Sequence, residues 1–501
     1  MTYLIAALLL TLPTIGLAQQ IAIGQYQLPT TGGTPSGIAA GPDGALWFTE
    51  YGNAHKIGRI TTAGAITEYP VPTADSKSEG IVAGPDGALW FTEYDGNNIG
   101  RITTSGVVNE YPIPTAFSDP EGIAAGPDGA LWFTEWNGNK IGRITTSGAI
   151  TEYALPNAAS GPKGITAGPD DALWFTETTG SRIGRITTAG AIAEYHVPMA
   201  SCCPPSPRDP NGITAGSDGA LWFTEWNINE IGRITTAGAI TEYPVPGISS
   251  DLDGITAGPD GALWFTEHIY NFSFYGQIGR MTTGGVCTGY PVPTANNPIQ
   301  IAAGPDGEMW FTSSGDQIGE AVFVTADLSV SPASSFYQTE LTFTGTMFAP
   351  NENVQIYLRG VGSAVLAGAI ADSTGSFTVS VPEPQSPYGP RLFLGVGQSS
   401  GKLGAASFSV TPGLMLNPSS GSVGSTAKVQ GYGFAAFEGV ELYWSDPQVS
   451  LGFATANIDG TFNGSTALKF TIPAGAASGQ NTVFGIGQKT GARGSGSFTV
   501  Q

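Results

Sequence analysis

The sequence predicts an all-β protein, a seven-bladed β-propeller followed by two immunoglobulin-like β-sandwich domains. Three observations carry this. A unit built around Trp-Phe-Thr recurs seven times, at Trp47, Trp90, Trp132, Trp174, Trp222, Trp264 and Trp310, with spacings of 43, 42, 42, 48, 42 and 46 residues. A second repeat, with a period of 86–90 residues, fills the last third of the chain. The composition combines 72 Gly and 36 Pro with 41% hydrophobic and only 12% charged residues, which suits many tight turns around large cores and argues against disorder.

Residues 1–18 read as a signal peptide. The run from Tyr3 to Leu17 is mostly apolar, and Gly16-Leu17-Ala18 offers small residues for cleavage, although no Lys or Arg precedes the run. It is short for a membrane span, and no other segment is apolar enough for one. The expected location is secreted or cell-surface. The cysteines are Cys202, Cys203 and Cys287, an odd number, and their spacing is not that of a zinc site.

Each propeller unit, within residues 19–322, reads as four short strands. In the first unit Gly37-Ile38-Ala39-Ala40 is the innermost strand and Pro42-Asp43-Gly44 a tight turn. Ala45 to Thr49, Ile57 to Thr61 and Ala65 to Tyr69 are the second, third and fourth strands. The seventh unit has no fourth strand of its own. Ala22 to Pro29 supplies one, because Tyr26 precedes Trp47 by 21 residues as Tyr69 precedes Trp90. The repeated Trp and Phe are expected to pack between blades. The repeated glutamates after Trp-Phe-Thr (Glu50, Glu93, Glu135, Glu177, Glu225, Glu267) are expected to pair with the repeated arginines or with backbone. Two insertions break the period, Ser201–Arg208 between blades four and five and the aromatic His268–Tyr275 in blade six.

Pro332, Phe348-Ala349 and Gly395-Val396-Gly397-Gln398 recur as Pro418, Phe434-Ala435 and Gly485-Ile486-Gly487-Gln488. The two copies, 325–412 and 413–501, read as small sandwiches without catalytic motifs. They are candidates for association with a cell surface.

The net charge of −21 is uneven. Residues 19–322 hold 31 acids against 12 bases, a net −19, a field that repels nucleic acid and attracts metal ions and cationic ligands. The position before each innermost Gly-Ile varies between blades: Ser36, Glu79, Glu121, Lys163, Asn211 and Asp253, with Ile299 in the seventh unit. These residues are expected to ring the channel mouth and bind ligand. Glu79, Glu121 and Asp253 are candidates for holding magnesium or calcium, since hard cations take carboxylate oxygens. Trp136 and Trp226 follow the glutamate in only two blades and are candidates for contacting ligand. His268, beside the aromatic insertion, is the one candidate for a base.

The pattern G-P-D-G-A-L-W-F-T-E, I-G-R-I-T and I-T-E-Y-x-x-P resembles the streptogramin lyase family over about residues 21–322. The resemblance implies a propeller that opens a cyclic depsipeptide by magnesium-dependent elimination, with a histidine base and metal-binding carboxylates. At the family's histidine positions this chain has Asp253 and Ile299. Asn297 stands at its glutamate, Ser36 at its first-blade tyrosine, and Ser313 or Ser314 at its last-blade metal ligand. The expected function is therefore recognition of a small-molecule, peptide or glycan ligand at the acidic mouth. A divergent metal-dependent carbon–oxygen lyase acting on a cyclic depsipeptide or similar ester is the alternative.

Overall fold

The computed structural model describes residues 20–501 apart from 199–207, 227, 247–249, 270–275, 293–295, 336, 338, 359–364, 385, 387, 445–448 and 458. The expected signal peptide, Cys202, Cys203 and most of both insertions lie outside the described residues. Every regular element described is a strand.

Seven four-stranded antiparallel sheets form the propeller. In the first blade Pro35–Ala40, Ala45–Glu50, Lys56–Thr61 and Ile66–Pro70 lie in that order from inside to outside. Gly44 takes a φ of +72° in the turn between the first two, which is why that column is glycine in nearly every unit. The seventh blade consists of Pro298–Ala303, Met309–Ser313 and Gln317–Val324, completed by the N-terminal strand Gln20–Gln27. That strand runs in register from Gln20 opposite Val324 to Gln27 opposite Gln317.

The hydrophobic cores lie between blades. Trp47, fully buried, packs with Ile81, Leu89 and Phe91 of the next blade, and Trp310 packs with Ile38, Leu46 and Phe48 of the first. Each tryptophan also stacks on the tyrosine of its own outer strand, as Trp47 does on Tyr69 at 5.5 Å between centroids. The tryptophan Nε1 donates to the turn aspartate (Trp47 to Asp43 Oδ1, 3.0 Å), which also accepts from the repeated arginine (Arg59 Nε to Asp43 Oδ2, 2.6 Å). The expectation that these arginines pair with the Trp-Phe-Thr glutamates is thereby corrected. Strand register sets Arg59 opposite Trp47, beside the turn, whereas Glu50 lies at the far end of the strand opposite Lys56.

One hydrogen-bond relay joins all seven blades. The threonine of Trp-Phe-Thr accepts from the innermost-strand N–H of its own blade and donates to a carbonyl of the next. Gly37 N–H donates to Thr49 Oγ1 (2.8 Å), and Thr49 Oγ1 donates to Glu79 O (2.6 Å). The last step returns from Thr312 Oγ1 to Ser36 O at 2.6 Å and closes the ring. In the first blade the approach requires glycine, since a Cβ on Gly37 would lie 2.3 Å from Glu79 O.

Only Thr325 separates Gln317–Val324 from Ala326–Ser331, the first strand of the C-terminal region. The first C-terminal unit is a sandwich whose faces belong to one continuous, nearly closed sheet, because Ala326 and Asp327 pair in parallel with Gly404 and Ala405. The second unit has two separate sheets, of three and five strands. Val322 and Ala22 of the closing blade pack against Leu392, Leu394, Leu403 and Ala405 of the first unit. In each unit a buried glutamate accepts hydrogen bonds from a distant hairpin, Glu352 from Ser399 and Ser400, Glu438 from Thr490 N and Oγ1 at 2.7 Å. Burial would raise the Glu352 carboxyl, but bonds from Ala349, Ser400 and Ser399 draw it down to about 2.

The relay predicts the effect of Thr134→Val. It leaves Gly122 N–H without its acceptor and Lys163 O without its donor. The expected loss is about 1–3 kcal/mol, read from denaturant unfolding of the full chain, against a near-neutral effect for the exposed Thr151→Val.

Candidate functional site: the channel mouth

The relay places the ring residues. The carbonyls of Ser36, Glu79, Glu121, Lys163, Asn211, Asp253 and Ile299 each accept from the threonine of the preceding blade. Ser36, Glu79, Glu121, Lys163 and Asn211, with Gln300, line a cleft of about 170 Å³ at the channel mouth. Gln300 occupies the column that is glycine in the other six blades, so the seventh blade alone contributes an amide there.

The polar groups of the cleft hold one another. Ser36 Oγ donates to Glu79 Oε2 at 2.6 Å. Lys163 Nζ lies 3.9 Å from Glu121 Oε2 and 5.7 Å from the centre of the Trp226 ring. Burial pushes the Glu121 carboxyl up to about 7, helped by Glu79 and Asp253 and opposed by Lys163. Burial likewise raises Glu79. Burial alone would lower Lys163, but Glu121, Asp253 and Glu79 together outweigh it and hold the ammonium charged.

Asp253 belongs to the ring by its backbone but is buried behind the cleft lining, where Asn211 Nδ2 donates to its Oδ1 at 2.8 Å and His268 Nε2 stands 4.0 Å from its Oδ2. Among the described residues, Glu79, Glu121 and Asp253 do not converge as one metal-ligand set. An ammonium sits among them instead.

A second ring stands beside the first, formed by the residue after each Trp-Phe-Thr-Glu or -Ser: Tyr51, Tyr94, Trp136, Thr178, Trp226, His268 and Ser314. All seven are half-buried. Trp226 and His268 meet edge-on at 5.7 Å, and Trp136 lies across Gly161 of the next blade. Lys77 Nζ lies 5.7 Å from the centre of the Tyr51 ring. Burial, with Asp119 and Glu121 nearby, pushes the Tyr94 hydroxyl up to about 12. Sequence reasoning found Trp136, Trp226 and His268 and missed Tyr51 and Tyr94, although all occupy one column of the repeat. His268 Nε2 is 2.6 Å from Pro298 O, so that nitrogen carries the proton and Nδ1 is left as the acceptor. Cys287 is a free, half-buried thiol pushed by burial up to about 12, which leaves no thiolate for chemistry.

With this geometry in place, comparison with known proteins is decisive for the family. The sequence profile of the virginiamycin B lyase family matches residues 14–206 and 200–326. The chain belongs to the virginiamycin B lyase family. A macroglobulin-like domain profile matches residues 322–410. Among solved structures, a streptogramin B lyase is 41% identical, with 60% of this chain and 98% of that one covered and a TM-score of 0.56. A virginiamycin B lyase from Staphylococcus aureus is 42% identical, with 61% and 100% covered and a TM-score of 0.56. The same figures hold for a catalytically inactive histidine-to-alanine variant of the Staphylococcus aureus enzyme with quinupristin.

Away from the mouth, this family member repeats a charge cluster in its first five blades. Glu50, Lys56 and Glu68 form it in the first blade, where Lys56 Nζ is 2.7 Å from Glu68 Oε2. Burial pushes the carboxyls of Glu50, Glu93, Glu135 and Glu225 up to about 8. In the fifth blade the middle position is an acid, Glu230, and Arg208 of the insertion supplies the cation. Arg208, 2% exposed, reaches Glu225 (3.0 Å), Glu230 (2.7 Å) and Glu242 (3.0 Å).

Two predictions follow from these clusters. Arg208→Met, which leaves three carboxylates without their cation, is expected to cost about 3–5 kcal/mol of stability. Adding Glu230→Lys, which restores the first-blade pattern, recovers most of it in the same unfolding measurement. The raised glutamates bind protons more tightly in the folded than in the unfolded chain. The stability they lend is therefore complete below the ordinary 4.5 and lost as pH rises through about 8. The melting temperature falls across that interval, and Glu50→Gln with Glu135→Gln makes the fall shallower.

Proposed function

We propose that this protein is an exported recognition protein whose channel mouth binds a small molecule or peptide bearing an amine or guanidine. The observation that carries the reading is the setting of Lys163, whose ammonium lies over Trp226 and beside Glu121. Carboxylates and an aromatic face are the groups that select organic cations. Glu79, Tyr51 and Tyr94 extend the same surface toward an incoming cation. The positions at which the family resemblance implies histidines hold Asp253 and Ile299 here, which favours recognition over catalysis.

One observation favours the second reading, a divergent lyase. The hydrogen bond from His268 to Pro298 O leaves Nδ1 basic, ready to take a proton beside a carbonyl while the carbon–oxygen bond breaks and a carboxylate leaves. Quinupristin is bound by the inactive Staphylococcus aureus variant, and a cyclic depsipeptide is the substrate class to try first.

Calorimetric titration of the metal-stripped protein separates the two. A tri-arginine peptide is expected to bind, more tightly as pH rises through about 7 and Glu121 ionises, and to lose that binding in Glu79→Gln with Glu121→Gln. Absence of binding by the wild type sinks the recognition reading. Tight one-site magnesium binding abolished by Glu121→Ala or Asp253→Ala, together with elimination of a depsipeptide, establishes the lyase instead.

A further inference from the structure

We infer that the outer face of the five-stranded sheet in the second C-terminal unit docks a second copy of this chain, face to face about a two-fold axis. The face is built from Ser450–Thr455, Gly439–Trp444, Gly479–Gly487 and Arg493–Val500, which lie side by side in that order. Val440, Leu442 and Trp444 point into the core, so Glu441 and Tyr443 point out. Phe453 stands opposite Glu441, Glu441 opposite Ile486, and Ile486 opposite Arg493. Paired residues share a face, so these four make one row across four strands, and Tyr443 and Phe484 stand in the row beside it.

The same face of the first unit shows what such a surface does. There Leu394 stands opposite Tyr357, as Phe484 stands opposite Tyr443. Leu392, Leu394, Leu403 and Ala405 of that face are packed against Ala22 and Val322 of the propeller. The second unit keeps the face apolar, with Phe484 for Leu394 and Ile486 for Val396, yet among the described residues no hydrophobic core takes them in. It has gained aromatic surface as well. Phe453, 56% exposed, stands where the first unit has Gly368, and its ring lies over Gly439. Phe437, two residues before Gly439, is 52% exposed and holds a φ of +56°. Bulky residues avoid that conformation, and the first unit has Asn351 in its place, at a φ of +60°. An open apolar patch of this kind marks a binding surface.

Charge selects the partner. Glu441 stands where the first unit has Gln355, and Arg493 where it has Leu403, so opposite charges lie two strands apart on one face. A two-fold axis parallel to the strands, midway between Glu441 and Ile486, lays Arg493 of one copy over Phe453 and beside Glu441 of the other, and does so twice. The face is thus complementary to itself. Each charge also has a neighbour in its own chain, since Arg493 lies 4.1 Å from the centre of the Phe484 ring and Tyr443 hydrogen-bonds to Glu441. Arg493 is nonetheless exposed, and a guanidinium with its several N–H groups and a carboxylate with two oxygens have capacity left for each other. With about 4.8 Å between strands the face is about 15 Å wide, which sets the contact among the small, weak interfaces.

Sedimentation equilibrium of the full chain over a wide concentration range tests this. A monomer–dimer equilibrium with a Kd of about 10–100 μM is expected. Phe453→Ser with Phe484→Thr is expected to leave only monomer, with thermal unfolding little changed because both side chains point away from the core. Glu441→Arg and Arg493→Glu are each expected to weaken association about tenfold or more, and the two reversals together to restore it. Glu121→Gln at the mouth leaves it unchanged. Monomer at every concentration, a dimer indifferent to the Phe453 and Phe484 changes, or reversals that do not rescue one another overturns the proposal. The charge reversals, on outward-facing residues, keep the test decisive if the double aromatic variant does not fold.

Discussion

The threonine relay is the interaction on which the rest of the propeller depends. One hydroxyl accepts from its own blade and donates to the next, so each innermost strand is fixed by its predecessor. Because the accepting carbonyls belong to the ring residues themselves, the relay positions the mouth while leaving its side chains free to differ. Ser36, Glu79, Lys163 and Asn211 share one backbone environment and four chemistries. In six blades a glycine beside the relay makes room for the next strand, and the seventh blade makes the same bond with Gln300 N–H donating to Thr312 Oγ1 at 3.0 Å.

The acids of the propeller are managed by cations drawn from the chain itself. Lys56 and Lys140 lie beside the outer glutamates of their blades, Arg208 enters the fifth cluster from an insertion, and Lys163 serves the mouth. Burying carboxylates costs several kcal/mol apiece unless each finds a partner or keeps a proton, and the chain uses both routes. The fifth blade shows the coupling most clearly, because Glu230 would be untenable beside Glu225 and Glu242 without Arg208.

The propeller was legible because its signal is periodic. Seven tryptophans at nearly constant spacing, and turn residues at fixed offsets, leave little choice of fold. Side-chain pairing was not legible, because it depends on register. Arg59 and Glu50 belong to columns conspicuous in six of the seven units, yet one lies opposite Trp47 and the other opposite Lys56. Most of the mouth was readable from the column before Gly-Ile. The bond from Asn211 to Asp253 joins two blades, which no single column reveals. Tyr51 and Tyr94 share a column with Trp136 and Trp226, but that column changes residue type from blade to blade and so carries no repeated signal. The role of Arg208 was written in the sequence only indirectly, by an acid standing at Glu230 where Lys56, Asn98, Lys140 and Arg182 stand in the earlier blades.

The closing strand has a consequence for how the chain is made. Gln20–Gln27 precedes every other propeller strand in the chain, yet its partner Gln317–Val324 is the last of them to emerge. Every other blade can assemble from sequential hairpins, whereas this pairing spans the whole ring and bears the entropy of closing it. Until then the outer edges of Gln20–Gln27 and Gln317–Val324 present unpaired backbone, the kind of edge that recruits foreign strands. The ring is therefore most vulnerable at the moment before it closes, and the first C-terminal unit, joined through Thr325 and packed on Ala22 and Val322, arrives at the seam directly afterwards.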